Sequence, residues 1–380
     1  MKSIINSWVC ILILLVVFTS CKKEDYINPN DISYTNDLEQ FVTIWTGIST
    51  SYVLWPFDTT DWDRIYSHYY NVFDNDDTMT DEAWEYAWKE LTSSLIDHHL
   101  YIRIKRPATR YTINISLGEE EIRRRSYYHD YIYPRFLQMV WSGRVTDEEY
   151  YGSYSCGIID STIAYLYLLS FKFQDTNKAV KSIIDHYKRL LLNSQVRAAI
   201  VDLRSNSGGK AGYLGMLMSC FVDKPYTVGY NQRKVGLGRL DLGMKVPFSV
   251  IPDHDAQHVD IPIVVLADVH SGSTAEIATL AIKMLPNGYF IGERTVGATC
   301  GIIEGDPFGV FGNGDFSVSS GGHYVSKPSY LFTGVDGTCY EGYGIEPDET
   351  CYFNKEDWER NIDNQLEFAI QFALEKANER

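Results

Sequence analysis

Positive charge is in short supply in this chain. Its 34 lysines and arginines face 50 aspartates and glutamates, for a formal net charge of −16 at pH 7. That balance excludes nucleic acid as a partner, because a phosphate backbone demands a basic face. Cysteine is scarce as well, seven in 380 residues, and no pair has the C-x-x-C or Cys/His spacing of a zinc site. No metal or organic cofactor is expected. Internal repeats and low-complexity tracts are lacking. So is any apolar run of the about twenty residues needed to cross a bilayer. What remains is 45% hydrophobic and 22% charged, an ordinary globular composition long enough for one large domain or two.

The N-terminus reads as a targeting segment: Lys2 precedes an almost unbroken apolar run, Val9 to Phe18. That run closes on Phe18-Thr-Ser-Cys21, which resembles a bacterial lipobox, with small residues before a cysteine that is lipidated after cleavage. An ordinary signal peptide with an incidental Cys21 is the plainer alternative. The polar stretch from Lys22 to Asn36 favours the lipoprotein. Residues 1–20 are therefore expected to be a leader, Cys21 the lipidation site and 21–36 a tether. The protein would be held in the bacterial cell envelope by its N-terminal lipid, facing the periplasm or the outside. Besides Cys21 the mature chain keeps Cys156, Cys220, Cys300, Cys339 and Cys351, an odd number. Export permits a disulfide, but spacing alone assigns none.

Asn36-Asp-Leu-Glu39 looks like a helix start. Trp62-Asp-Arg-Ile-Tyr66 and Glu82-Ala-Trp-Glu-Tyr-Ala-Trp88 continue a helical period to Leu95, so 37–100 is read as a small helical N-terminal module. Residues 101–162 read as a connecting region. Within it Tyr101-Ile-Arg-Ile-Lys105 alternates like a strand, and Glu119 to Arg125 is a charge run expected on a solvated helix face. From Ile163 onward, strands (Ala164 to Leu169, Ala198 to Leu203, Ile261 to Ala267, Tyr289 to Gly292) alternate with helices (Asn177 to Leu192, Ser273 to Leu285). One amphipathic helix, Lys355 to Ala377, closes the chain. The alternation predicts an α/β layered core with a mostly parallel sheet over 163–380.

The segment richest in chemistry is His270-Ser-Gly-Ser-Thr-Ala-Glu-Ile-Ala278. Strand, tight turn and helix present Ser273 at a helix N-terminus, where unpaired N–H groups attract developing negative charge. Ser273-Thr-Ala-Glu276 also spells a capping box, the plainer reading. Val201-Asp-Leu-Arg-Ser-Asn-Ser-Gly-Gly209 is a strand running into a glycine turn. Glycine lets a backbone amide approach a ligand, so Gly208 or Gly209 is a candidate oxyanion donor, with a simple turn as the alternative. Ile291-Gly-Glu-Arg-Thr-Val-Gly297 and Tyr340-Glu-Gly-Tyr-Gly-Ile-Glu-Pro-Asp348 are two further glycine loops.

Taken in order, these motifs resemble the tail-specific, or carboxyl-terminal processing, serine peptidase family. Its Asp-Leu-Arg-x-Asn-x-Gly-Gly is similar to Asp202 to Gly209, and its Ser-x-x-Glu turn to Ser273 to Glu276. Its Gly-Glu-x-Thr-x-Gly corresponds to Gly292 to Gly297, and its Gly-x-Gly-Ile-x-Pro-Asp to Gly342 to Asp348. Asp61 to Tyr66 and Leu95-Ile-Asp-His-His99 resemble the helical module of the retinoid-binding-protein-like and tricorn-like branch. The resemblance implies a crotonase-like fold and a serine nucleophile, Ser273.

Two departures shape the mechanism it implies. Where many members carry a lysine base, directly after the glycine of the Gly-Glu-x-Thr-x-Gly loop, this chain has Ala298, and no lysine lies between Lys283 and Lys327. Residues 101–162 are also too few for the usual peptide-binding PDZ insert. A histidine must then serve as base, which suits its ordinary pKa of about 6.5. Histidine-based members carry it in Asp-x-His, matched by Asp97-His98-His99, so His99 is the candidate and His98 the runner-up. His270 is close in sequence to Ser273 but stands across a tight turn. Glu341 aligns as the orienting acid, with Asp336 as the alternative. Backbone amides of Thr274 and of Gly208 or Gly209 would form the oxyanion hole. The implied activity is that of a lipid-anchored serine endopeptidase acting on protein or peptide. A catalytically silent lipoprotein that binds a ligand or peptide is the competing expectation. A crotonase-type acyl-CoA enzyme rests on fold analogy alone.

Overall fold

The computed structural model describes residues 36–74, 79–125, 132–152, 154–172, 177–302, 315–318 and 323–380. The leader, Cys21 and the tether as far as residue 35 lie outside these. Among the described residues no helix is long and apolar enough to cross a membrane.

Three helices open the fold: α1 (Asp37–Ser51), α2 (Trp62–Asp74) and α3 (Asp81–Thr92). The Asn36 side chain accepts from Glu39 N at 2.8 Å and that of Thr80 from Ala83 N at 3.2 Å, so α1 and α3 each begin on a side-chain cap. Phe41, Ile44 and Ile48 recur at helical spacing and are buried. Phe41 stacks on Phe73 with centroids 5.0 Å apart, and Phe73 meets Trp88 at 5.4 Å, which joins the three helices through an aromatic core. Arg106 ties their ends together, donating to Asp37 at 2.8 Å and Asp81 at 2.9 Å.

Next come β1 (Tyr101–Lys105), β2 (Thr112–Ser116), α4 (Leu117–Arg125), α5 (Ile132–Trp141), β3 (Val145–Tyr151), β4 (Tyr154–Ile159), β5 (Ile163–Leu168), α6 (Asn177–Leu191) and β6 (Ala198–Asp202). They are followed by α7 (Leu214–Met218), β7 (Tyr226–Arg233), β8 (Val246–Val250), β9 (Ile263–Ala267), α8 (Thr274–Lys283) and β10 (Gly288–Gly292). The chain ends with β11 (Asp315–Val318), β12 (His323–Ser326), β13 (Tyr330–Gly334), β14 (Glu349–Thr350), α9 (Lys355–Glu359) and α10 (Asn364–Asn378).

The central sheet has seven strands in the order β14-β10-β9-β6-β5-β4-β3. Pairing is parallel from β5 through β6, β9 and β10 to β14, and antiparallel at β3 and β4. Along β5 the side chains alternate between two cores: Ala164, Leu166 and Leu168 join α6 and α8 on one face, while Ile163, Tyr165 and Tyr167 join α5 and α10 on the other. Helices thus cover both faces, which is why the strands read as continuous apolar runs. The expected α/β architecture with a mostly parallel sheet and an N-terminal helical region is what forms.

Three expectations need correction. Residues 101–162 are not merely a connection, since β3 and β4 complete the central sheet and the core begins at Val145 rather than at 163. β3 is an edge strand of polar residues, Val145-Thr-Asp-Glu-Glu-Tyr-Tyr151, and shows no apolar alternation to announce it. The closing helix is two helices, broken where Asn361 takes φ +66° and Asp363 caps α10 at Leu366 N (3.1 Å). The charge run of α4 is not all solvated: Glu121 is buried, and Arg125 donates to Thr295 O at 2.9 Å.

Candidate active site

β9 delivers the chain into the turn from Asp268, whose carboxylate accepts from Ser205 N and His270 N, both at 3.0 Å. Ser273 follows at φ +55°, ψ −122°, immediately before α8. A non-glycine residue there costs about 1–3 kcal/mol and persists only where its surroundings fix it. Here two acceptors hold its amide, Ala298 O at 2.9 Å and Glu276 Oε2 at 3.1 Å. The glutamate half of the expected capping box therefore forms. The serine's backbone is not that of an extended cap. Ser273 is half-buried at the corner.

Glu276 does more than cap. Besides the Ser273 amide it accepts from Thr295 Oγ1 (2.6 Å), Gly297 N (2.9 Å) and Ala298 N (2.7 Å), clamping segment 295–298 against the start of α8. Burial pushes its carboxyl up to about 7 against the pull of these donors, and the nearby Glu341 adds to the rise. Sequence reading saw only the cap. The threonine in Gly-Glu-x-Thr-x-Gly was the available hint of a second partner.

The glycine turn after β6 packs directly on this corner. A Cβ on Gly208 would stand 2.6 Å from Ser273 Cβ and 2.8 Å from Thr274 N, so only glycine fits, and its φ of +89° agrees. Of the two candidate donors, Gly208 is excluded because its N–H is already given to Asn206 Oδ1 at 2.8 Å. Gly209 N–H and Thr274 N–H have no acceptor among the described residues. Thr274 Oγ1 donates to Gly209 O at 2.7 Å and locks the two segments together.

The loop after α3 approaches the same strip from the other side. His98 Nδ1 meets Val296 O at 2.7 Å, and Val296 N in turn donates to Ser271 O at 3.2 Å. His99 is pinned through its amide, which donates to Asp97 Oδ1 at 2.8 Å. Its Nδ1 faces Glu341 Oε1 at 3.6 Å, an ion-pair contact longer than a hydrogen bond, and neither atom has another partner. Glu341 is fully buried, and its other oxygen accepts from Cys300 N at 2.6 Å. Gly342 N donates to Gly297 O at 2.8 Å, so the 341–342 loop also lies on the strip. Burial works to lower the His99 pKa, but the Glu341 contact and the charges of Glu341, Asp97 and Glu276 outweigh it and raise it above the ordinary histidine value. For His98 burial prevails and the pKa falls. Asp97 is pushed well up by burial and by Glu341, with His99 and Lys327 opposing, and its Oδ2 is buried without a hydrogen bond.

Segment 296–300 is thus the common floor on which Ser273, the His98–His99 loop and Glu341 converge. A family model for peptidase family S41 matches residues 162–351, half of the chain. The chain belongs to that family. The tricorn protease of Thermoplasma volcanium is 25% identical over 196 residues, which is 51% of this chain and 16% of that protein. The match therefore spans about a sixth of that relative's length. Among solved structures, a peptidase candidate from Parabacteroides merdae superposes with a TM-score of 0.70 at 23% identity, covering 90% of this chain and 98% of that one. Mature CPAF gives 0.64 at 12% identity, with 90% and 98% covered. Both share the fold.

The remaining sequence candidates have other surroundings. Asp336 sits in an exposed turn after β13, accepting from Thr338 N (3.0 Å) and Thr338 Oγ1 (2.9 Å), bonds that hold its pKa down. His270 is fixed through its amide in the turn before Ser273. Ala298, in place of a lysine base, is buried and engages the Ser273–Glu276 clamp through both its N–H and its C=O. His98 also lines a cleft of about 650 Å³ beside the S41 site, shared with Tyr86, Asn114 and Glu121. Among the described residues no group of His, Cys, Asp and Glu has the arrangement of a metal site.

Proposed function

We propose that this chain is a lipid-anchored serine endopeptidase working through a Ser-His-acid mechanism without a lysine dyad, in the manner of the tricorn-like branch. Membership of a peptidase family supports hydrolysis of protein or peptide, and does not favour the silent binding role. In this reading Ser273 Oγ attacks the scissile carbonyl while His99 takes its proton and returns it to the leaving amine. Glu341 holds the imidazole and stabilises its charged form. The amides of Gly209 and Thr274 receive the oxyanion, each such donor being worth about 3–4 kcal/mol of transition-state stabilisation. Cys21 would anchor the protein to the cell envelope. One observation carries the proposal: the otherwise unpartnered His99 Nδ1 and Glu341 Oε1 face each other beside the strip that holds the Ser273 amide. The cleft beside His98 offers a path for an extended chain.

The test is a fluorophosphonate probe followed by peptide mapping. The wild type should carry the label on Ser273 and Ser273→Ala should carry none. Absence of label on the wild type, or equal labelling of the variant, would sink the proposal.

A pH dependence follows from the same contact. A base must be neutral to accept a proton, and His99 is raised above about 6.5. The labelling rate should climb with pH along a limb centred above that value. Glu341→Gln removes the main raising influence, so the limb should move to lower pH while the plateau rate drops. The stability contribution has the opposite sense. The His99–Glu341 attraction is fully present below the unfolded histidine pKa and is lost as pH rises through the folded one. A limb that stays put in Glu341→Gln would show that this carboxylate does not act on the base.

A further inference from the structure

The loop that carries His99 is gripped from outside by a buried acid in the link between α1 and α2. Asp58, 8% exposed, accepts from Ile96 N at 3.1 Å through Oδ2, and the same oxygen accepts from Tyr52 OH at 3.1 Å. Its Oδ1 accepts from Thr60 N at 2.9 Å, closing a turn of its own. Thr60 Oγ1 donates to Ser94 O at 2.7 Å, so segment 58–60 is tied twice to segment 94–96. Tyr52 is fully buried, and burial together with the charges of Asp97 and Asp58 keeps its proton on well above the ordinary tyrosine range. Its hydroxyl is therefore a donor to Asp58 at neutral pH.

Ile96 is the joint between the base and the acid. Its amide is held by Asp58, and its carbonyl abuts the residue that follows Glu341. A Cβ on Gly342 would stand 2.4 Å from Ile96 O, and the glycine has φ +75°. Three residues after Ile96, His99 Nδ1 faces Glu341 Oε1 at 3.6 Å. A contact of that length between two loops responds to small displacements of either one.

We propose that Asp58 is a positioning residue for the base: by holding Ile96 against Gly342 it sets the distance between His99 and Glu341. The inference rests on the reading of His99 as general base and Glu341 as its orienting acid. The charged groups that act on His99 are Glu341, Asp97 from its own loop and Glu276 from α8. Asp97 moves with His99, whose amide it accepts, and Glu276 is fixed by four donors. Release of Ile96 therefore weakens the Glu341 contact first. A misplacement of about 1 Å at a reacting group costs about 10²-fold in rate.

The test uses the full chain and reads the His99 ring directly, by NMR titration of its nitrogens, beside the pH profile of fluorophosphonate labelling. Asp58→Ser keeps an oxygen for Thr60 N, since serine closes the same kind of turn, and withdraws the one on Ile96 N. Its His99 should titrate at lower pH than in the wild type, because the contact that raises it is weakened. The plateau labelling rate should fall about 10–100-fold. Tyr52→Phe leaves the Asp58–Ile96 bond in place and should change neither. If Asp58→Ser does not fold, Asp58→Asn decides by the same criterion, because its single oxygen serves Thr60 N or Ile96 N but not both. A folded variant whose His99 titrates as in the wild type overturns the proposal. So does slower labelling without that shift, or an equal shift in Tyr52→Phe. A wild type that takes no label removes the hydrolase reading, and the ring titration then still decides the role of Asp58.

Discussion

His99→Ala is expected to slow acylation of Ser273 by about 10²–10⁴-fold, the usual contribution of a positioned general base. A serine hydroxyl is not ionised near neutrality, and Ala298 occupies the position of a lysine base. The loss should appear in the rate of fluorophosphonate labelling and in turnover of an unfolded protein substrate. His99 is pinned through its backbone amide to Asp97, a bond that alanine keeps, so the fold should survive. His98→Ala is the internal control. Its ring holds Val296 O rather than Glu341 and its pKa is lowered rather than raised, so its effect should be much smaller. Wild-type labelling in His99→Ala, or an equal loss in both variants, would end the case for His99.

The largest expected stability effect lies on the far side of the sheet. Arg204, 1% exposed, donates to Asp202 Oδ2 at 2.6 Å and to both oxygens of Asp363 at 2.8 Å, and Tyr165 OH adds a bond to Asp202 at 2.9 Å. This network fastens the end of β6 to the start of α10. Arg204→Met would leave two buried carboxylates without their cation, at a cost of about 3–5 kcal/mol. Urea unfolding followed by circular dichroism measures it. A shift of less than about 1 kcal/mol would mean that water or rearrangement satisfies both acids. The variant's residual folded fraction should still label at Ser273, because the network makes no contact with the 296–300 strip.

These two sites illustrate how unevenly the sequence could be read. The turns at 202–209 and 273–276 were legible because glycines, a serine and an acid at fixed spacing answer to local backbone geometry. The parallel strands were legible because burial on both faces leaves unbroken apolar runs. The role of Arg204 as a brace was not visible, since its partner Asp363 lies 159 residues away and is marked by nothing but a helix cap. The same long-range tie explains the missed break between α9 and α10, where the amphipathic period runs on while Asp363 is turned inward. Glu341 and Asp336 differ in burial, which local pattern does not report: one is enclosed beside His99, the other caps its own exposed turn. Gly208 and Gly209 differ only through a third residue, Asn206, whose side chain occupies the first amide.

The floor formed by residues 296–300 also imposes an order of events on biosynthesis. It receives the His98 ring from the early part of the chain and the Gly342 amide from near its end. A ribosome-bound chain has made α1 to α8 and every strand of the central sheet but β14 before the loop at 341–342 emerges. Every truncated product lacking that loop is therefore missing both the Gly342 contact with Gly297 and the Glu341 contact with Cys300.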